Sequence, residues 1–204
     1  MKGYINVDFP QEHHIEGTKI TADIHADILR MKYEPSIEIR SNHVFEHFGY
    51  VESLVLLAKW ANSLRLKGVL FIGIPDIERL CQAMNSDKVI KQFRVIRYMF
   101  GDQGAHWAFH INGWTPNTLA FVLEKLGFQK LSIKRRGNTN SDFPNCSIDF
   151  TYIKQKDLVL DTLVMHIKNI LRMYLNCNPS ENKESPLYDC YCKQVDNLIG
   201  GVDG

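Results

Sequence analysis

The run Val69-Leu70-Phe71-Ile72-Gly73-Ile74 turns no polar side chain to either side. A strand alternates its side chains between two faces, so this stretch must be covered on both and belongs inside a sheet. Before it, apolar positions 51, 54, 55, 57, 58 and 61 form a helical stripe that Gly68 stops, and after it comes Pro75-Asp76. A helix feeding a doubly covered strand is the rhythm of an α/β chain with parallel strands. The rest keeps that rhythm. Strands are predicted at 4–9, 19–28 and 37–41, a mainly helical stretch at 77–100, and a polar and aromatic loop at 101–113. Thr115-Pro116 opens a further helix, with a threonine cap and a proline at the first helical position, and Gly127 ends it. Strands at 128–134 and 146–155 then pair across the long turn GNTNSDFPN, and a helix follows from 157 to 175.

Charge and cysteine usage narrow the class of partner. With 24 Lys and Arg against 23 Asp and Glu, nothing in the balance attracts nucleic acid or an anionic membrane. No apolar run approaches the roughly 18 residues of a membrane span, and MKGYINVDFP lacks the pattern of a secretion signal. Five scattered cysteines without such a signal read as reduced thiols of a cytoplasmic protein. Cys190-Tyr-Cys192 lacks the two-residue gap of a zinc knuckle, so no metal is expected there.

Taken in order, GYINVD, ADIHADILRMKYEPSIEIRSNHVFEHF, LRLKGVLFIGIPDIE and MFGDQGAHWAFHINGWTPNTLAFVLEKLGF resemble one family. It is that of the class I, seven-stranded S-adenosylmethionine-dependent methyltransferases, and within it the group often associated with surface-glycan genes. The resemblance covers residues 3 to about 155 and starts at the family's second strand. It implies a Rossmann-like, doubly wound, mostly parallel sheet with a C-terminal antiparallel strand pair and the family's first strand absent. The expected organisation is a methyltransferase-like domain over 1–155, a helical extension over 156–176 and a polar flexible tail over 177–204.

What the resemblance implies for function is S-adenosylmethionine as cofactor and transfer of its methyl group, most simply to an oxygen of a small molecule or glycan. Ligands of such sheets lie across the carboxyl ends of the strands. Asp8 would then accept the ribose hydroxyls, Asp27 and the Ile28 N–H would meet the adenine, and Asn42 and His43 would flank the methionine part. A base suits a hydroxyl acceptor, and His106, His110 and His43 are the candidates, with His47 behind them. The alternative for Asp27 is a helix cap, and for His106 to His110 a loop that covers the core.

Full-length members carry a glycine-rich turn and a central strand just before the GYINVD equivalent, and here only Met1 and Lys2 precede Gly3. A chain starting there is expected to bind the cofactor weakly or not at all. The vacant place in the sheet would be closed by direct pairing of its neighbours, filled by another segment or a second copy in a homodimer, or supplied from upstream. Two rival readings follow. One is a non-catalytic binding or scaffold domain. The other is a zinc hydrolase built on the H-x-x-E-H pattern of His43, Glu46 and His47, which requires a helix there.

Overall fold

In the computed structural model, residues 3–8, 21–105, 107–140, 142, 144–175 and 185–200 are described. The elements run β1 Val7–Asp8, β2 Ile24–His25, β3 Ser36–Asn42, a short 3-10 turn Phe45–His47, α1 Tyr50–Ser63, β4 Leu64–Pro75, α2 Ile77–Met84 and α3 Val89–Phe100. Then come α4 Pro116–Lys125, β5 Phe128–Arg136, β6 Ser147–Lys154, α5 Leu160–Tyr174 and α6 Pro186–Gly200. β3 and β4 are parallel and joined through α1, while β6 lies antiparallel between β4 and β5. This is a Rossmann-like α/β fold with the antiparallel C-terminal pair that the sequence implies.

The early strands depart from expectation. β1 and β2 form a separate parallel pair, and neither is hydrogen-bonded to β3 among the described residues. Asp8 and Asp27 therefore do not share a sheet with His43, as a single continuous edge required. Among the described residues, direct pairing of β1 with β3 is not made either. The Tyr4 hydroxyl reaches across, donating to Glu38 Oε2 at 2.6 Å. Of the expected first two strands, residues 9, 19 and 20 lie outside the described residues.

The helix expected to run on until Gly68 stops it ends at Ser63, and Leu64 is already paired with Ser36. Between that pair and Glu38 with Val69 the register jumps, so residues 65–68 bulge outward. Gly68 permits the excursion, because a Cβ there would stand 2.7 Å from the Arg65 carbonyl oxygen.

α1 explains the C-terminal half. Beyond its expected stripe it also buries Ser53, Leu56, Lys59, Trp60 and Ser63. A helix covered this widely needs neighbours on more than one side, and α5 and α6 provide them. Leu163, Ile167 and Leu171 of α5 and Tyr188 and Val195 of α6 join the main core. The span 177–204, read from the sequence as a flexible tail, thus contains a packed helix from Pro186 to Gly200. The polar NPSENKESP stretch before it hid the change, and residues 176–184 lie outside the described residues. A smaller cluster of Leu80, Ala83, Val95 and Cys146 sits beneath α2 and α3.

Candidate functional site

The site forms where β3 ends. His43 takes a left-handed backbone (φ 53°), uncommon for a residue other than glycine, while its N–H donates to the Gly73 carbonyl at 2.8 Å. That residue swings the chain off the sheet into the 3-10 turn. Phe45 pins the turn by packing between Trp60 and Trp114, at ring-centroid distances of 5.9 and 5.6 Å. Glu46 and His47 are consequently held at the carboxyl end of the sheet.

Glu46 is buried, with only 2% of its surface exposed. Its Oε1 accepts from His43 Nδ1 at 3.0 Å and lies 3.9 Å from His110 Nε2. Its Oε2 has no hydrogen-bond partner among the described residues. Its carbonyl oxygen accepts from the N–H groups of Ile111 and Asn112, which stitches the 101–113 loop to the turn.

That loop is shaped by Gly101, which caps α3 at φ 78° and bridges to Phe109. A Cβ on Gly101 would lie 2.0 Å from the Ala108 carbonyl oxygen, so only glycine lets the two segments approach. The approach brings His110 beside His47, with ring centroids 4.9 Å apart and planes at 70°.

Each of these imidazoles is oriented by a backbone carbonyl, which can only accept. His47 Nδ1 donates to Phe109 O at 2.9 Å, and His110 Nδ1 donates to Tyr98 O at 3.0 Å. In the neutral imidazoles, both Nε2 atoms are then lone-pair acceptors. The hydrogen bond to Glu46 raises the His43 pKa above that of an ordinary histidine, against the opposing pull of burial. Burial lowers that of His110, with Glu46 opposing. Neighbouring side chains thus hold opposite protonation tendencies. His110 also borders a groove of about 430 Å³ lined by Arg94, Arg97, Tyr98, Asp102 and Asn145.

Among the expected site residues, His43 and His110 come together around Glu46, and Asn42 lies next to them at the end of β3. His106 lies outside the described residues. Asp8 stands at the carboxyl end of β1 as expected, but Asp27 behaves as a cap. Its Oδ1 accepts from the Leu29 N–H at 2.9 Å, its Oδ2 lies 3.5 Å from Arg30, and its carbonyl receives the N–H groups of Arg30 and Met31. Ile28 gives its carbonyl to the Tyr33 hydroxyl. Asp8 and Asn42 thus end their strands and His43 follows β3, while the Asp27 carboxylate is committed to its own turn.

The H-x-x-E-H reading fails on geometry, because His43 to His47 form a bend and a 3-10 turn instead of a helix, and His43 turns to Glu46. Sequence reasoning weighed Glu46 only within that pattern, and His47 there and as a reserve base. Their pairing with His110, 63 residues on from His47, has no local signal.

No model of a known protein family matches the chain, and no curated protein does. Solved structures do. It is similar to the 1,6-didemethyltoxoflavin-N1-methyltransferase of Burkholderia thailandensis, with bound 1,6-didemethyltoxoflavin and S-adenosylhomocysteine, at 14% identity and a TM-score of 0.44. That match takes in 66% of this chain and 52% of that one. A protein of Listeria monocytogenes described as an S-adenosylmethionine-dependent methyltransferase matches at 12% identity and a TM-score of 0.45, over 74% and 79% of the two chains. Human N-acetylserotonin methyltransferase in complex with S-adenosylmethionine matches at 12% and 0.41, over 74% of this chain and 40% of that one. The chain spans about half the length of the first and less of the third.

Proposed function

We propose that this chain is an S-adenosylmethionine-dependent methyltransferase domain that methylates an oxygen of a small molecule or glycan. The observation that carries the reading is the hydrogen-bonded pair of buried Glu46 and exposed His43 at the carboxyl end of β3, beside the His110 groove. Ligands of parallel α/β sheets gather at that edge, and the chemistry present there is that of an oriented base. Glu46 Oε1 holds His43 through Nδ1, so Nε2 points away as the proton acceptor. The carboxylate also stabilises the imidazolium that forms, which is how a buried acid assists a histidine base.

Bound S-adenosylmethionine supplies an electrophilic methyl group. Methyl transfer is a direct displacement, so the protein's work is alignment and proton removal. Asp8 would take the ribose hydroxyls, and Asn42 and His43 would flank the methionine end. The acceptor would enter through the groove lined by Arg94, Arg97, Tyr98 and Asp102.

A second reading is a binding domain that does no chemistry. The commitment of the Asp27 carboxylate to Leu29 and Arg30 favours it, since one implied adenine contact is then lost.

Calorimetric titration with S-adenosylmethionine, followed by transfer of labelled methyl to a panel of hydroxylated acceptors, tests the proposal. Asp8→Ala should weaken cofactor binding roughly 10- to 100-fold, the worth of a hydrogen bond to a charged group. His43→Ala should lower kcat about 10²- to 10⁴-fold. Folded protein that binds no cofactor even when extended upstream with the family's glycine-rich turn overturns the proposal, and binding without transfer replaces it with the second reading.

A further inference from the structure

We infer that Glu46, His47 and His110 form a site for a divalent transition-metal ion of the zinc class. Each contributes one ligand atom, and the three atoms lie within 4.8 Å of one another. Proximity alone would be weak, but three independent features of the cluster point the same way.

The first is tautomeric. His47 and His110 each donate Nδ1–H to a backbone carbonyl, Phe109 O and Tyr98 O. That is the outer-shell arrangement that fixes an imidazole as a metal ligand through its other nitrogen. Second, Glu46 is buried, and its Oε2 lacks a hydrogen-bond partner among the described residues. Its Oε1 meanwhile accepts from His43, a hydrogen bond of the kind that orients a ligating carboxylate. Third, the groups do not satisfy one another. His110 Nε2 stands 3.9 Å from Glu46 Oε1, beyond hydrogen-bond reach. Two imidazole lone pairs and a carboxylate oxygen therefore converge without a donor between them, and a cation is what such a set binds.

The scaffold is rigid enough for the task. Phe45 anchors the turn in the core, the Glu46 carbonyl ties the loop to it, and Gly101 lets the loop fold back. Two imidazoles and one carboxylate favour zinc, cobalt, iron or nickel over magnesium and calcium, which prefer oxygen ligands alone. Three protein ligands would leave a coordination position open, as in catalytic zinc sites, and one of the three, His110, also lines the groove. If methyl transfer proceeds as proposed, a hydroxyl bound at that position would have a lowered pKa and His43 beside it to take the proton.

The test uses the whole chain, stripped with a chelator and titrated with cobalt(II) or zinc(II). Wild type should bind one ion per chain, give a cobalt absorption spectrum of low-symmetry nitrogen and oxygen ligation, and gain thermal stability with added metal. His47→Ala, His110→Ala and Glu46→Gln should each weaken binding by about 100-fold or more, and His43→Ala by about tenfold as an outer-shell loss. His166→Ala on α5 should change nothing. Circular dichroism shows whether each variant folds, and His47→Gln and His110→Gln replace any alanine variant that does not. Absence of one-to-one binding by wild type overturns the inference, as does binding that survives both histidine replacements. Cofactor binding is measured separately, so this site can stand or fall without the methyltransferase proposal.

Discussion

Replacing Gly101 by alanine attacks the cluster without touching any of its side chains. Gly101 has φ 78°, and the added Cβ would lie 2.0 Å from the Ala108 carbonyl oxygen, where ordinary contact begins at 3.4 Å. The strand of loop at 108–110 must therefore move by more than an ångström. The hydrogen bond from the His110 N–H to Phe100 O, now 3.1 Å, and that from His110 Nδ1 to Tyr98 O, now 3.0 Å, cannot survive that shift. A left-handed alanine costs roughly 1–2 kcal/mol, and two lost hydrogen bonds cost about 0.5–1.5 kcal/mol each, so the native loop is disfavoured by about 2–5 kcal/mol.

Urea unfolding followed by tryptophan fluorescence reads the global part of this cost. Where the loop gives way locally, the global loss is smaller and the rest appears as loss of metal binding, because His110 is no longer held beside His47. A variant with wild-type stability and wild-type cobalt affinity would refute the reasoning, since it would mean that the loop does not need the close approach of Gly101 to Ala108.

Two further outcomes are expected. Val195→Ala removes fully buried methyl groups from α6 and should lower stability by about 1.5–3 kcal/mol in a urea titration; a change under about 0.5 kcal/mol, the range of surface substitutions, would mean that α6 is not docked. Burial pushes the phenols of Tyr33, Tyr50, Tyr98 and Tyr152 up to about 12. The unfolded value is about 10, so their contribution is fully present below that pH and is lost as pH rises towards 12; phenolate absorbance should show these four ionising late and together with unfolding, and a single ordinary titration of all tyrosines would contradict it.

Much of the frame was legible where the pattern is local. The apolar run at Val69 to Ile74 and the Thr115-Pro116 cap depend on neighbours in sequence, and they mark a real strand and a real helix start. The Gly68 stop does not hold, since α1 ends at Ser63 and Gly68 lies within β4. α6 was not legible, because its surroundings are polar and its burial comes from α1, more than 120 positions earlier. β1 and β2 were overestimated, since an apolar alternation predicts a strand without saying whether a partner will extend it. At the site, histidines were selected for their chemistry, and two of them do meet. What could not be read was the left-handed turn at His43, which changes its partner from His47 to Glu46. The 3.9 Å approach of His110 to Glu46 was equally hidden, because it depends on how a glycine folds a loop.

The placement of β6 between β4 and β5 governs how the sheet can assemble. β5 is made earlier along the chain than β6, yet it has no neighbour to pair with until β6 arrives. Registers such as Val69 with Ile153 and Ile74 with Ile148 join residues more than 70 positions apart. Closing loops of that length before any bond rewards them slows folding, so this chain should reach its native state on the slower, millisecond-to-second scale of non-local sheets. Until then the flanks of β4 and β5 are open to other chains.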